Sequence, residues 1–144
     1  MIRNAKISEA KIIQSLVNAY AKKGEMLSLS LNDIYEKIFE FILFEESGEV
    51  LGCCAIHPSW EDLAEVRSLA VREDAFGRGI GRLLVESAIN RAKEFGIKNV
   101  FALTYKVDFF KKLGFREIKK ENLPKKIWSD CLKCPMFPEC DEVA

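Results

Sequence analysis

The chain has 144 residues, 49% of them hydrophobic, which is enough for one domain with a sizeable core. Its 22 basic and 22 acidic residues cancel, which argues against nucleic acid as a main partner, since such proteins usually carry a basic excess. No apolar run approaches the ~18 residues needed to span a bilayer, and Met1-Ile2-Arg3-Asn4 lacks a secretory apolar segment; no membrane partner and a cytoplasmic location are therefore expected, with the five cysteines as thiols or metal ligands rather than disulfides.

In chain order, residues 2–7 predict a first strand. Ser8 predicts the cap of a helix whose apolar face is Ile13, Leu16, Val17 and Tyr20, ending near Gly24. Ser30 or Asn32 opens a second helix through Ile34, Tyr35 and Ile38. Residues 41–45 and 50–56 predict a hairpin around Ser47-Gly48. Residues 65–71 read as a short, mostly apolar strand, on which regular alternation would turn 65, 67, 69 and 71 to one face. A glycine-punctuated turn, Phe76-Gly77-Arg78-Gly79-Ile80-Gly81, then leads into a helix with Ile80, Leu83, Leu84, Ala88, Ala92 and Phe95 at helical spacing and Gly96 as its stop. Residues 100–104 predict a buried strand, 107–113 a short helix and 115–118 a last strand. There is no internal repeat and no linker, so residues 1–144 read as a single α/β domain with 121–144 as a cysteine-containing extension.

The glycine turn carries the functional signal. A loop of this kind leaves N–H groups unpaired at a helix N-terminus, where the dipole also favours negative charge, and glycine lets a phosphate approach the backbone. A Walker A loop is excluded because no lysine followed by a hydroxyl residue comes after these glycines. The dinucleotide fingerprint fails too, since Arg82 or Leu84 stands where its third glycine belongs. The remaining alternatives are a phosphate cradle and a tight turn without a ligand.

Leu69-Ala70-Val71, Gly77-Arg78-Gly79-Ile80-Gly81-Arg82-Leu83-Leu84 and Phe109-Phe110-Lys111-Lys112-Leu113-Gly114-Phe115 together resemble the GCN5-related N-acetyltransferase family over about residues 1 to 120. Lys23-Gly24-Glu25-Met26-Leu27, Gly52-Cys53-Cys54-Ala55, Trp60-Glu61-Asp62-Leu63-Ala64-Glu65, Phe101-Ala102-Leu103-Thr104-Tyr105 and Leu123-Pro124-Lys125-Lys126-Ile127-Trp128 are similar to the short bacterial N-acetylglutamate synthases. The resemblance implies the acyl-CoA N-acyltransferase fold, a mixed and mostly antiparallel central sheet flanked by helices. It also implies acetyl-CoA as co-substrate and the α-amine of L-glutamate as acceptor, the first step of arginine biosynthesis.

The resemblance also assigns roles to residues. Glu65 matches the family's catalytic glutamate and would serve as general base, directly or through one water. The N–H of Leu69 would contact the thioester carbonyl, with Ala70 and main chain near Val71 pairing with the pantetheine arm. Phe76, Gly77, Arg78, Gly79, Ile80, Gly81 and Arg82 would hold the phosphates, with Arg78 and Arg82 either adding charge or simply solvated. Arg67 shares a face with Glu65 on a regular strand, and either binds a substrate carboxylate or only neutralises Glu65.

Three departures bear on this assignment. Phe76 replaces the usual Arg or Gln at the head of the loop. Phe110 replaces the tyrosine that reprotonates the thiolate, leaving Tyr105 as the nearest substitute. Leu29 replaces an arginine common among glutamate-acetylating relatives, with Lys22, Lys23, Lys106, Lys125 and Lys126 as candidate cations. Of these, Lys106 is taken with Arg67 as substrate-binding.

Cys131, Cys134 and Cys140 give C-x2-C-x5-C, a ligand spacing that lacks a fourth member; free thiols are the favoured reading and a metal is not expected. Asp130, Asp141 or His57 would be the completing ligand if one bound. Cys53 and Cys54 read as small core residues, and His57 as a strand-end histidine near Glu65. No cysteine is set beside a base, so direct transfer in a ternary complex is the expected mechanism. An N-acetyltransferase for another small amine or a protein amine, and a non-catalytic acetyl-CoA-binding regulatory module, are the alternatives. A homodimer is left open.

Overall fold

The computed structural model describes residues 1–118. Among these residues five strands form one sheet in the order β1-β2-β3-β4-β5: β1 Ile2–Asn4, β2 Phe41–Glu46, β3 Glu49–Trp60, β4 Leu63–Val71 and β5 Asn99–Phe101. All neighbours are antiparallel except β4 and β5, which run parallel. The helices are α1 Ala10–Ala21, α2 Leu31–Glu36, α3 Ile80–Glu94 and α4 Val107–Lys112. This is the expected mixed, mostly antiparallel sheet with flanking helices.

Strand alternation splits the core into two layers. Ile42, Cys54, Ile56, Ala64 and Val66 face α3, where Ile80, Leu84, Val85, Ala88 and Ala92 meet them. Leu43, Cys53, Ala55 and Ala70 face the other way, against Ile13, Leu16 and Val17 of α1 and Ile34 of α2. The α1 face is as its 3.6-residue spacing predicts. On α3, Val85 is buried instead of Leu83 and Phe95, both of which are exposed.

Several element ends differ from expectation for identifiable reasons. The first strand stops at Asn4, and a 3-10 turn, Ile7–Glu9, precedes α1. Ser8 lies inside that turn, and Glu9 instead accepts from the Lys6 N–H at 2.8 Å. Ser30 does cap α2, accepting from the Asp33 N–H at 3.1 Å. β5 ends at Phe101 rather than at 104 because its partner diverges, the β4–β5 ladder closing at the Glu65–Phe101 pair. Residues 115–118 form no strand; Phe115 places its ring against Phe110, 5.1 Å between centroids.

Candidate active site

Where β4 and β5 part, a cavity of about 1010 Å³ opens along the free edge of β4. Glu65, the last β4 residue paired to β5, sits at the apex of this split. From there β4 continues to Val71 and delivers the chain to the glycine loop.

β4 is not regular. Ser68 has a left-handed φ of 55°, and between the Ala55–Arg67 and Cys53–Ala70 pairs β4 carries one residue more than β3. This is a β-bulge, and it reverses the facing of everything beyond it. Glu65 and Arg67 lie opposite Ala64 and Val66, on the α1–α2 side, whereas Leu69 and Val71 pack into the α3-side core. The expectation that 65, 67, 69 and 71 share one face is therefore corrected: only the first two do.

Glu65 is 7% exposed, the one charged side chain among the described residues to be buried. Arg67 donates to its Oε1 from Nε at 3.2 Å and from Nη2 at 2.8 Å. His57 stands directly across the β3–β4 ladder from Glu65, and its Nδ1 lies 3.0 Å from both oxygens of Glu40. Since a carboxylate only accepts, Nδ1 carries the proton there.

The loop behaves as its glycines require. Gly77 and Gly79 have φ of 81° and 76°, left-handed values that an L side chain resists. Gly81 has ordinary helical φ but close neighbours, as a Cβ there would lie 3.3 Å from the Phe109 ring. Among the described residues, no acceptor meets the backbone N–H groups from Gly77 to Arg82. These donors at the N-terminus of the 15-residue α3 fit a phosphate-bearing ligand.

Tyr20 lines the cavity too, a placement that sequence reasoning missed. Its hydroxyl donates to the Val71 carbonyl at 2.9 Å and accepts from the Val71 N–H at 3.3 Å. Burial holds the phenol above its usual range, so it stays neutral. Both Val71 groups that the family pattern offers to pantetheine are thus engaged within the protein. Apolar helical spacing places Tyr20 on α1, but nothing local shows that its hydroxyl reaches a strand 51 residues away.

Of the other expected residues, Leu69, Phe76, Ile80, Arg82, Tyr105 and Lys106 line the cavity. Ala70 and Arg78 do not: the Ala70 side chain is buried in the α1-side core, and Arg78 pairs with Glu46. Arg82 pairs with Glu86 at 2.7 Å, and Lys106 with Glu25 at 3.6 Å. Phe110 is a core ring, 7% exposed, set edge-on to Phe109. Leu29 lines the cavity, with its main chain bonded to Gln14 and Asn18. Lys22 is exposed and lies off the cavity wall.

Cys53 and Cys54 are buried thiols, as expected. Cys131, Cys134 and Cys140, with Lys125, Lys126 and the rest of the C-terminal extension, lie outside the described residues. Among the described residues, no group of three or more His, Cys, Asp or Glu is placed to hold a metal ion. Nor is any helix there long and apolar enough to cross a membrane.

Comparison with known proteins agrees with this geometry. Residues 12–115 match the model of the Acetyltransferase (GNAT) family. An uncharacterised N-acetyltransferase of Chlorobaculum tepidum is 46% identical over 143 residues, 99% of this chain and 92% of that protein. An amino-acid acetyltransferase of Mycobacterium tuberculosis is 37% identical over 122 residues, 83% of this chain and 70% of that one. The N-acetylglutamate synthase of Neisseria gonorrhoeae, solved with coenzyme A and N-acetyl-glutamate, superposes with a TM-score of 0.91 at 27% identity; the match covers 99% of this chain but 33% of that one. Motif, sheet and relatives agree: the chain belongs to the acetyltransferase (GNAT) family, and its reaction is acyl transfer from acetyl-CoA.

Proposed function

We propose that this chain acetylates the α-amine of L-glutamate, by direct attack on the acetyl-CoA thioester in a ternary complex. The observation that carries this reading is the placement of a buried carboxylate, Glu65, at the apex of a cavity whose other end is a loop of unpaired N–H donors. The names of the Mycobacterium and Neisseria relatives support an amino-acid acceptor, and for the second of them a glutamate.

In this mechanism the loop from Gly77 to Arg82 holds the phosphates of acetyl-CoA and the free edge of β4 guides the pantetheine arm. Glu65 takes the proton that the ammonium form of the acceptor must lose before its nitrogen can attack. The new C–N bond forms as the C–S bond breaks, and the thiolate is protonated as it leaves. Tyr105, on the cavity wall, is the residue assigned to that protonation, because Phe110 has no hydroxyl. Acetylation of another small amine is the second reading, favoured by the apolar Leu29 on the same wall.

The test is mass-spectrometric detection of N-acetylglutamate from purified protein, acetyl-CoA and L-glutamate, with Glu65→Gln alongside. Product that falls ~10²-fold or more in the variant is the expected result. Undiminished product removes Glu65 as base, and no product with wild type removes glutamate as acceptor.

A further inference from the structure

We infer that Lys37 receives a carboxylate of the acceptor and so determines specificity, an assignment that rests on the acidic-acceptor reading above. Among the described residues, five cationic side chains line the cavity, and four of them already hold an acid. Lys23 pairs with Glu73 at 2.5 Å, Arg67 with Glu65 at 2.8 Å, Arg82 with Glu86 at 2.7 Å and Lys106 with Glu25 at 3.6 Å. Lys37 is half-buried, and among the described residues no carboxylate lies within ion-pair distance of it.

The acids on the same wall are Glu25, Asp33 and Glu65. Glu25 and Glu65 are held as described, and Asp33 accepts from the Ser30 N–H at 3.4 Å in the cap of α2. A half-shielded ammonium without a counter-ion is unfavourable until a ligand supplies one. Leu29, where the family pattern has a guanidinium, cannot serve, and Lys37 provides the charge from eight residues further along the chain.

Lys37 is also on the right side of the sheet. It ends α2, on the face that Glu65 and Arg67 share, whereas Leu69 and Val71 turn toward α3. Three residues later Glu40 grips His57, the cross-strand neighbour of Glu65. The backbone carrying Lys37 is thereby tied to β3, the strand paired with the one that carries the base, which restrains the distance between a bound carboxylate and the amine to be deprotonated.

The experiment compares wild type, Lys37→Ala and Lys37→Arg with L-glutamate, L-glutamine, isoglutamine, L-aspartate and a carboxylate-free amine. The expected result is a KM for L-glutamate raised about tenfold or more in Lys37→Ala, as loss of one charge-assisted hydrogen bond requires. KM for acetyl-CoA should stay within about twofold, and Lys37→Arg should restore most of the affinity. Preference for L-glutamate over L-glutamine or isoglutamine should shrink in Lys37→Ala, and whichever preference shrinks identifies the carboxylate bound.

An unchanged KM and unchanged preferences in Lys37→Ala, with N-acetylglutamate still made, overturn the assignment alone. Turnover of L-aspartate but not L-glutamate removes the glutamate reading while testing Lys37 on that acid by the same ratio. Wild type that turns over only the carboxylate-free amine, or nothing in the series, overturns both.

Discussion

Arg67 donates two hydrogen bonds to a single oxygen of Glu65, two positions before it on the strand. Of the two roles the sequence leaves to Arg67, this geometry favours neutralising Glu65 over capture of a substrate carboxylate. Truncating it leaves a buried carboxylate without its guanidinium, which costs about 3 kcal/mol in comparable sites. Arg67→Ala should therefore lower the urea midpoint, and Glu65→Gln in the same chain should recover part of the loss. A double variant as unstable as Arg67→Ala would place the effect elsewhere. In kinetics, Arg67→Ala should reduce kcat more than it raises KM for the acceptor.

The Tyr20 hydroxyl occupies both main-chain groups of Val71. If the pantetheine arm pairs there, it has to displace that hydroxyl first. Tyr20→Phe should then lower KM for acetyl-CoA several-fold while costing about 1 kcal/mol of stability for the lost bonds. A thermal melt and an acetyl-CoA titration check both parts. An unchanged KM would mean that the arm pairs at another part of β4.

Burial pushes the Cys53 thiol up to about 12 and moves Cys54 in the same direction. The sign of the linkage follows directly. Well below pH 9, the ordinary thiol value, both cysteines are protonated folded or unfolded and stability is unaffected. As pH rises from 9 toward 12 the unfolded chain ionises and the folded chain does not, so stability falls. Urea midpoints between pH 8 and about 10.5 should decline, less so in Cys53→Ala. These two thiols should also resist thiol reagents until denaturant is added.

What the sequence revealed was mostly local chemistry. The strand–loop–helix from Glu65 onward, the hairpin at Ser47-Gly48, the α1 face and the Ser30 cap each depend on residues a few positions apart, where spacing and turn preference act. The features that escaped it depend on distant partners. The end of β5 is set by where β4 turns away, and the contacts of Tyr20 and the position of Lys37 exist only once α1 and α2 lie on the sheet. Ser68 is the most instructive case. Serine has no special demand for a left-handed φ, so alternation appears unbroken across it until the ladder to β3 is laid down.

That extra residue makes β4 a strand with two frames. Upstream of Ser68 the frame turns polar side chains to the side of α1 and α2; downstream it turns Leu69 and Val71 toward α3. Removing one residue there would merge the frames, forcing either Glu65 and Arg67 into the hydrocarbon layer under α3 or Leu69 and Val71 out of it. No change of side chain would repair such a deletion, because every residue on one half of the strand would be inverted at once. On β4, length is therefore a stricter constraint than composition.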